Sequence, residues 1–119
     1  MLDAEKEKEI FFSNTCESTF GIECYVEKTL NVLGGKWSYL IIKHLFSGKK
    51  RFGELRKLLH DVNARSLTNC LRSLEEQGVI DRTIIATVPV TVEYSLTNKG
   101  LDLKDIVSSM YLWGEKWTL

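Results

Sequence analysis

Arg65, Ser66, Asn69 and Arg72, with Thr68 at their edge, fall on one side of a helical pattern running from Ala64 to Gln77. Two guanidinium forks, two hydroxyls and a carboxamide make a face that donates and accepts hydrogen bonds at fixed spacing. Such a face suits base edges: arginine bidentate to guanine, asparagine to adenine, hydroxyls to either. Residues nearest the helix N-terminus reach deepest, so Arg65, Ser66 and Asn69 are the expected base contacts. Arg72 suits guanine or phosphate. Asn63 stands where an N-cap belongs, and the amides behind it can hold a phosphate at the positive end of the helix. A polar helix face is often only solvated, so the surroundings must decide.

Those surroundings are basic. Lys36 to Arg72 holds nine Lys/Arg against Glu54 and Asp61, a net +7, whereas residues 1–35 carry −4 and residues 73–119 carry −3. A formal net charge of zero therefore conceals an asymmetry of the kind found where a surface meets a polyanion. Lys36 opens a helical pattern, and Lys49, Lys50 and Arg51 precede a helix pair; all four are expected on phosphates. The expected partner is double-stranded DNA.

The elements that would position these groups are legible from periodicity. Val26, Leu30 and Leu33 predict a short helix ended by Gly34-Gly35. Trp37 to Phe46 predicts a second, with Trp37, Leu40, Ile41, His44 and Leu45 on one stripe and Gly48 as its stop. Lys49 to Phe52 reads as a brief extended piece, and Gly53 to Leu59 as a short helix with Leu55, Leu58 and Leu59 inward. Asn63 then caps Ala64 to Gln77, which buries Leu67, Cys70, Leu71 and Leu74, and Gly78 ends it. Two β-rich runs follow, Val79 to Val88 and Val90 to Leu96, with Pro89 at the hairpin tip. Thr97 caps a long final helix.

This order predicts a mainly α fold with a small β-hairpin wing, the winged helix-turn-helix, in which the second helix of the pair enters the major groove. The hairpin tip from Thr87 to Thr91 has no Lys or Arg, and only Arg82 on the first strand is basic. Wing contacts should therefore be weak or come from backbone and threonine hydroxyls.

Leu103, Ile106, Val107, Met110, Trp113 and Trp117 make an apolar seam along the final helix. Part of it should pack back on Trp37 and Leu40. Ile106, Met110, Trp113 and Trp117 are expected to be covered by a second subunit, which makes a two-fold homodimer and implies an inverted-repeat operator.

At 119 residues, 44% hydrophobic and 27% charged, the chain suits one globular domain over 24–119 preceded by an acidic extension over 1–23. No apolar run is long enough for a bilayer and the start is too acidic for a signal peptide, so a cytoplasmic location is expected, with no membrane partner. Cys16, Cys24 and Cys70 are odd in number and lack CxxC spacing; His44 and His60 lack ligand partners. Neither metal nor cofactor is expected. Cys24 precedes a helix, where the dipole lowers a thiol's pKa, but Glu23 and Glu27 oppose this. No His or Asp constellation accompanies it, so no enzyme is expected. A winged-helix module for protein–protein contact is the rival reading, favoured by the bare wing and opposed by the +7 block.

The strings Cys24-Tyr25-Val26-Glu27-Lys28-Thr29-Leu30, Leu33-Gly34-Gly35-Lys36-Trp37 and Arg51-Phe52-Gly53-Glu54-Leu55 resemble the HxlR-type winged-helix regulators, which are MarR-like. So do Leu67-Thr68, Leu71, Leu74-Glu75 and Gly78, and the closing block Val88-Pro89, Val92-Glu93-Tyr94-Ser95-Leu96-Thr97 with Gly100. The resemblance covers Cys24 to Trp117. It implies a homodimeric transcription factor whose dimer is built from first and last helices. It also implies that Cys24 can act as a redox or electrophile sensor, responding to a small oxidant or electrophile. Two positions depart from the family pattern: Tyr25 stands where proline usually follows the cysteine, and Asn63 where serine is common.

Overall fold

The computed structural model describes residues 25–118, so the extension 1–23, with its Cys16, and Cys24 lie outside the described residues. The chain divides into two units, Met1–Gly34 and Gly35–Leu119. In the first, the described helix is α1 (Tyr25–Leu33). Its Thr29 hydroxyl donates to the Tyr25 carbonyl one turn back at 3.0 Å. Tyr25, Val26 and Leu30 are exposed on it and Leu33 is buried.

The second unit runs α2 (Lys36–Leu45), β1 (Lys50–Arg51), α3 (Phe52–Leu58), α4 (Ala64–Glu76), β2 (Ile80–Ile85), β3 (Thr91–Leu96), α5 (Asn98–Leu101) and α6 (Leu103–Trp117). Its core joins Ile41, Ile42 and Leu45 of α2 to Leu67, Leu71 and Leu74 of α4, closed by Leu55, Leu59, Val62, Val79 and Ile80. Burying each such side chain contributes about 1.5–3 kcal/mol. Spacings of i, i+4 and i+7 put Leu67, Leu71 and Leu74 on a single line, which lays α4 against α2. Asn63 caps α4 as expected: its Oδ1 accepts from the Ser66 amide at 2.8 Å. Such a cap is worth about 1 kcal/mol. Gly78, at φ 74°, takes the left-handed turn that ends the helix. Lys99 Nζ donates to the Gln77 carbonyl at 2.7 Å, satisfying a group at that end.

Helix α3, a tight turn through Val62, helix α4 and a hairpin make a winged helix-turn-helix. The β-rich runs shorten to Ile80–Ile85 and Thr91–Leu96, and the expected extended piece joins them as an edge strand, giving the antiparallel order β1-β3-β2. Inward assignments shift in three helices. Leu58 is 44% exposed, because a two-turn helix offers the core one line and Leu55 and Leu59 occupy it. Cys70 is only half-buried, one position around the helix from Leu71. In α2, Ile42 is buried in the core while Trp37, Leu40 and His44 are half-buried. The last helix is divided: Thr97 caps the short α5, accepting from the Gly100 amide at 3.2 Å, and α6 starts after Asp102. Among the described residues no helix is long and apolar enough to cross a membrane.

His44 lies where α2 meets the basic block. Burial, followed by the charges of Lys43 and Lys50, holds its imidazole below the ordinary 6.5. The unfolded chain therefore binds that proton more readily than the folded one. Stability from this source is complete above 6.5 and declines as pH falls from 6.5 toward the lower folded value. Denaturation midpoints should drop on acidification through this window and drop less in His44→Gln. Equal declines in both proteins would show that His44 is not responsible.

Candidate nucleic-acid interface

The outward side of α4 is built by the same periodicity that builds its core side. Arg65, Thr68, Asn69 and Arg72 fall at i, i+3, i+4 and i+7 and are all exposed. Ser66 does not join them. It is half-buried on the flank, one turn before Cys70, with its amide committed to the Asn63 cap. The stripe thus brings together four of the five side chains read as base-facing.

The Lys49-Lys50-Arg51 run is not uniform, because strand geometry sends alternate residues to opposite faces. Lys50 pairs in register with Tyr94 and Arg51 with Glu93. Lys50 is half-buried, and its ammonium donates to Ser47 Oγ at 3.2 Å and the Gly48 carbonyl at 3.5 Å, clasping the turn after α2. Lys49 pairs with the Glu93 carboxylate at 3.5 Å. Arg51 is exposed, and its amide donates to Glu54 Oε1 at 3.0 Å, fixing the first turn of α3. Lys36 is exposed at the start of α2 with its ammonium 5.0 Å from the centre of the Trp37 ring.

The hairpin tip is closed on itself. The Thr87 hydroxyl donates to the Pro89 carbonyl at 2.8 Å and lies 2.6 Å from the Thr91 hydroxyl. Both hydroxyls are thereby engaged within the tip, and Val88 and Val90 project from it fully or largely exposed. A cleft of about 670 Å³ opens between α4 and this hairpin, lined by Thr68, Arg72, Glu75, Arg82, Phe52 and Tyr94. Arg82 was not among the residues expected to touch a partner. Its place follows from register: it lies directly opposite Tyr94, so both point to the helix side of the sheet.

A model of the HxlR-like helix-turn-helix family matches residues 32–119. The chain belongs to the HxlR-like helix-turn-helix family, and it is a transcriptional regulator with an HTH domain. It is 49% identical to the HTH-type transcriptional regulator YdeP of Bacillus subtilis (strain 168) over 94 residues, 79% of this chain and 73% of that protein. Among solved structures it is similar to the redox regulator HypR in its oxidised form, with 46% identity and a TM-score of 0.72 over 78% of this chain and 96% of that one. It is also similar to the reduced form of the transcriptional regulator YodB from B. subtilis, at 31% identity and a TM-score of 0.73, covering 82% and 96%. These HxlR relatives are winged-helix regulators of the MarR-like kind, in agreement with the fold described above. On α6, Ile106, Met110, Trp113 and Trp117 form a solvent-facing line at i, i+4, i+7 and i+11, the two tryptophans 68% and 64% exposed. Leu103 is buried and Val107 half-buried, so only part of the seam packs into the domain. Among the described residues no three His, Cys, Asp or Glu side chains cluster as metal ligands.

Proposed function

We propose that this HxlR-family protein is a homodimeric, sequence-specific DNA-binding regulator that works in the cytoplasm and responds to an oxidant or electrophile through Cys24. The observation that carries the reading is the exposed stripe Arg65, Thr68, Asn69 and Arg72 on a capped helix, flanked by basic residues and by a hairpin. In the complex, α4 lies in the major groove. Arg65 and Asn69 read base edges, Ser66 and Thr68 add hydroxyls from the near end, and Lys36, Lys49, Lys50 and Arg51 meet phosphates. Ile106, Met110, Trp113 and Trp117 pair with a second copy, so that two α4 helices address the halves of an inverted repeat. The redox part is supported by likeness to the redox regulator HypR, and by nothing in the described residues.

The test is fluorescence anisotropy of the full chain with the duplex upstream of its own gene and with a scrambled duplex, across a salt series. Preference for the upstream duplex with a steep salt dependence is the expected result, and addition of diamide should then weaken binding in the parent but not in Cys24→Ser. Arg65→Ala should cost about 1–3 kcal/mol and relax discrimination at one base pair per half-site. Failure to bind either duplex at low salt would favour a protein–protein module, for which the uncharged wing tip would be the contact.

A further inference from the structure

Two arginines, Arg72 of the α4 stripe and Arg82 of β2, line the helix–hairpin cleft. We propose that Arg72 and Arg82 together grip one backbone phosphate of bound double-stranded DNA in that cleft. The inference rests on the DNA-binding reading above and names a phosphate site within it.

Three observations carry it. The first is convergence: Arg72 comes from the far end of the α4 stripe and Arg82 from the middle of β2, and both line the same opening. Along β2, Ile80, Arg82 and Ile84 share one face. Ile80 is fully buried and Ile84 is exposed, so Arg82 stands where that face leaves the core for solvent.

The second is availability. Among the described residues neither Arg72 nor Arg82 makes an ion pair or a side-chain hydrogen bond. Two of the four cations that sequence alone marks for phosphate are differently placed. Lys49 must surrender Glu93 before it reaches a backbone, and Lys50 is folded onto its own turn. A guanidinium that holds only water exchanges water for phosphate, and its planar fork matches two phosphate oxygens.

The third is the shape of the partner. A helix in the major groove with a hairpin beside it straddles the single sugar–phosphate strand that divides that groove from the adjoining minor groove. The cleft between α4 and the hairpin is the space that strand must occupy. Thr68 adds a hydroxyl on one wall. Glu75 lies there as well, and the lining still carries two positive charges to one negative, the sign that suits an anion.

Phosphate contacts do not depend on sequence, so a duplex of arbitrary sequence is the right probe. Anisotropy titrations of the full chain across a salt series would compare the parent with Arg72→Gln, Arg82→Gln, the double variant and Arg82→Lys, each checked by thermal melting. Each single glutamine variant should flatten the slope of log K against log salt by about one, about an eightfold loss at 0.1 M salt. The double variant should lose little more than either single, because both groups serve one phosphate. Arg82→Lys should recover the parent slope. A folded Arg82→Gln with the parent slope would overturn the grip while leaving the DNA reading intact. So would a double variant that loses two full units, since the arginines would then serve separate phosphates. A parent protein that binds no duplex at low salt removes the DNA reading itself, and the grip with it.

Discussion

A variant carrying both Trp113→Glu and Trp117→Glu is expected to sediment as a monomer and to bind its operator about 10²–10⁴-fold more weakly than the parent. The stripe these residues belong to is apolar and largely open to water. Two tryptophans about two-thirds exposed offer roughly 200–300 Å² between them. A stable interface needs about 800 Å² per partner, so the two tryptophans alone fall short. Ile106 and Met110 on the same helix add to it. A carboxylate at either tryptophan would be stripped of water on association, while the monomer leaves it solvated. The loss of affinity follows from geometry: two tethered recognition helices bind as one, and separated ones do not. Analytical ultracentrifugation beside the anisotropy assay checks both halves. A double variant that remains dimeric would place the interface on another surface.

Gly100→Ala should cost about 3 kcal/mol, a large share of the roughly 5–15 kcal/mol that holds a domain together. A β-carbon at this position would run into the Val79 carbonyl oxygen and the Leu96 side chain. The same carbonyl accepts from the Thr97 amide and hydroxyl, each at 3.1 Å. The intruding methyl must therefore displace an atom that joins the start of β2 to the cap of α5. Overpacking of this kind costs about 1–3 kcal/mol. Loosening the two hydrogen bonds adds about 0.5–1.5 each. The better helix propensity of alanine returns up to about 1 kcal/mol. Gly53→Ala is the control, since a β-carbon there meets nothing within 4 Å. It should leave stability unchanged or raise it slightly. Similar melting temperatures for the two variants would show that the approach at Gly100 relaxes without cost.

The elements were legible wherever a local rule acts by itself. Asn63, Leu67, Leu71, Leu74 and Gly78 mark the start, the buried side and the end of α4 without help from the rest of the chain. What escaped the sequence depends on residues far apart in it. Nothing local to Lys49 says that Glu93 stands beside it, and nothing local to Ile42 makes it more buried than Leu40. Cys70 is less buried than its periodicity implies, and Ser66 more so, because each sits one position off the centre of its face, where the neighbouring elements decide burial. Arg82 became visible only with the strand ends and register in hand: one residue of slip would turn it to the opposite side of the sheet.

The closed hairpin tip has a kinetic consequence. Charge draws a duplex in from a distance, whereas apolar and neutral groups act only on contact. Most cations of the second unit lie between Lys36 and Arg82, on α2, the loop before β1, β1, α3, α4 and β2, with Lys99, Lys104 and Lys116 on α5 and α6, and the tip offers valines and self-bonded threonines. In the proposed complex the duplex is therefore captured and oriented by the helix side first. The tip, its threonine hydroxyls already engaged with each other and with Pro89, then settles on contact, so raising the salt should slow arrival far more than it hastens departure of the tip.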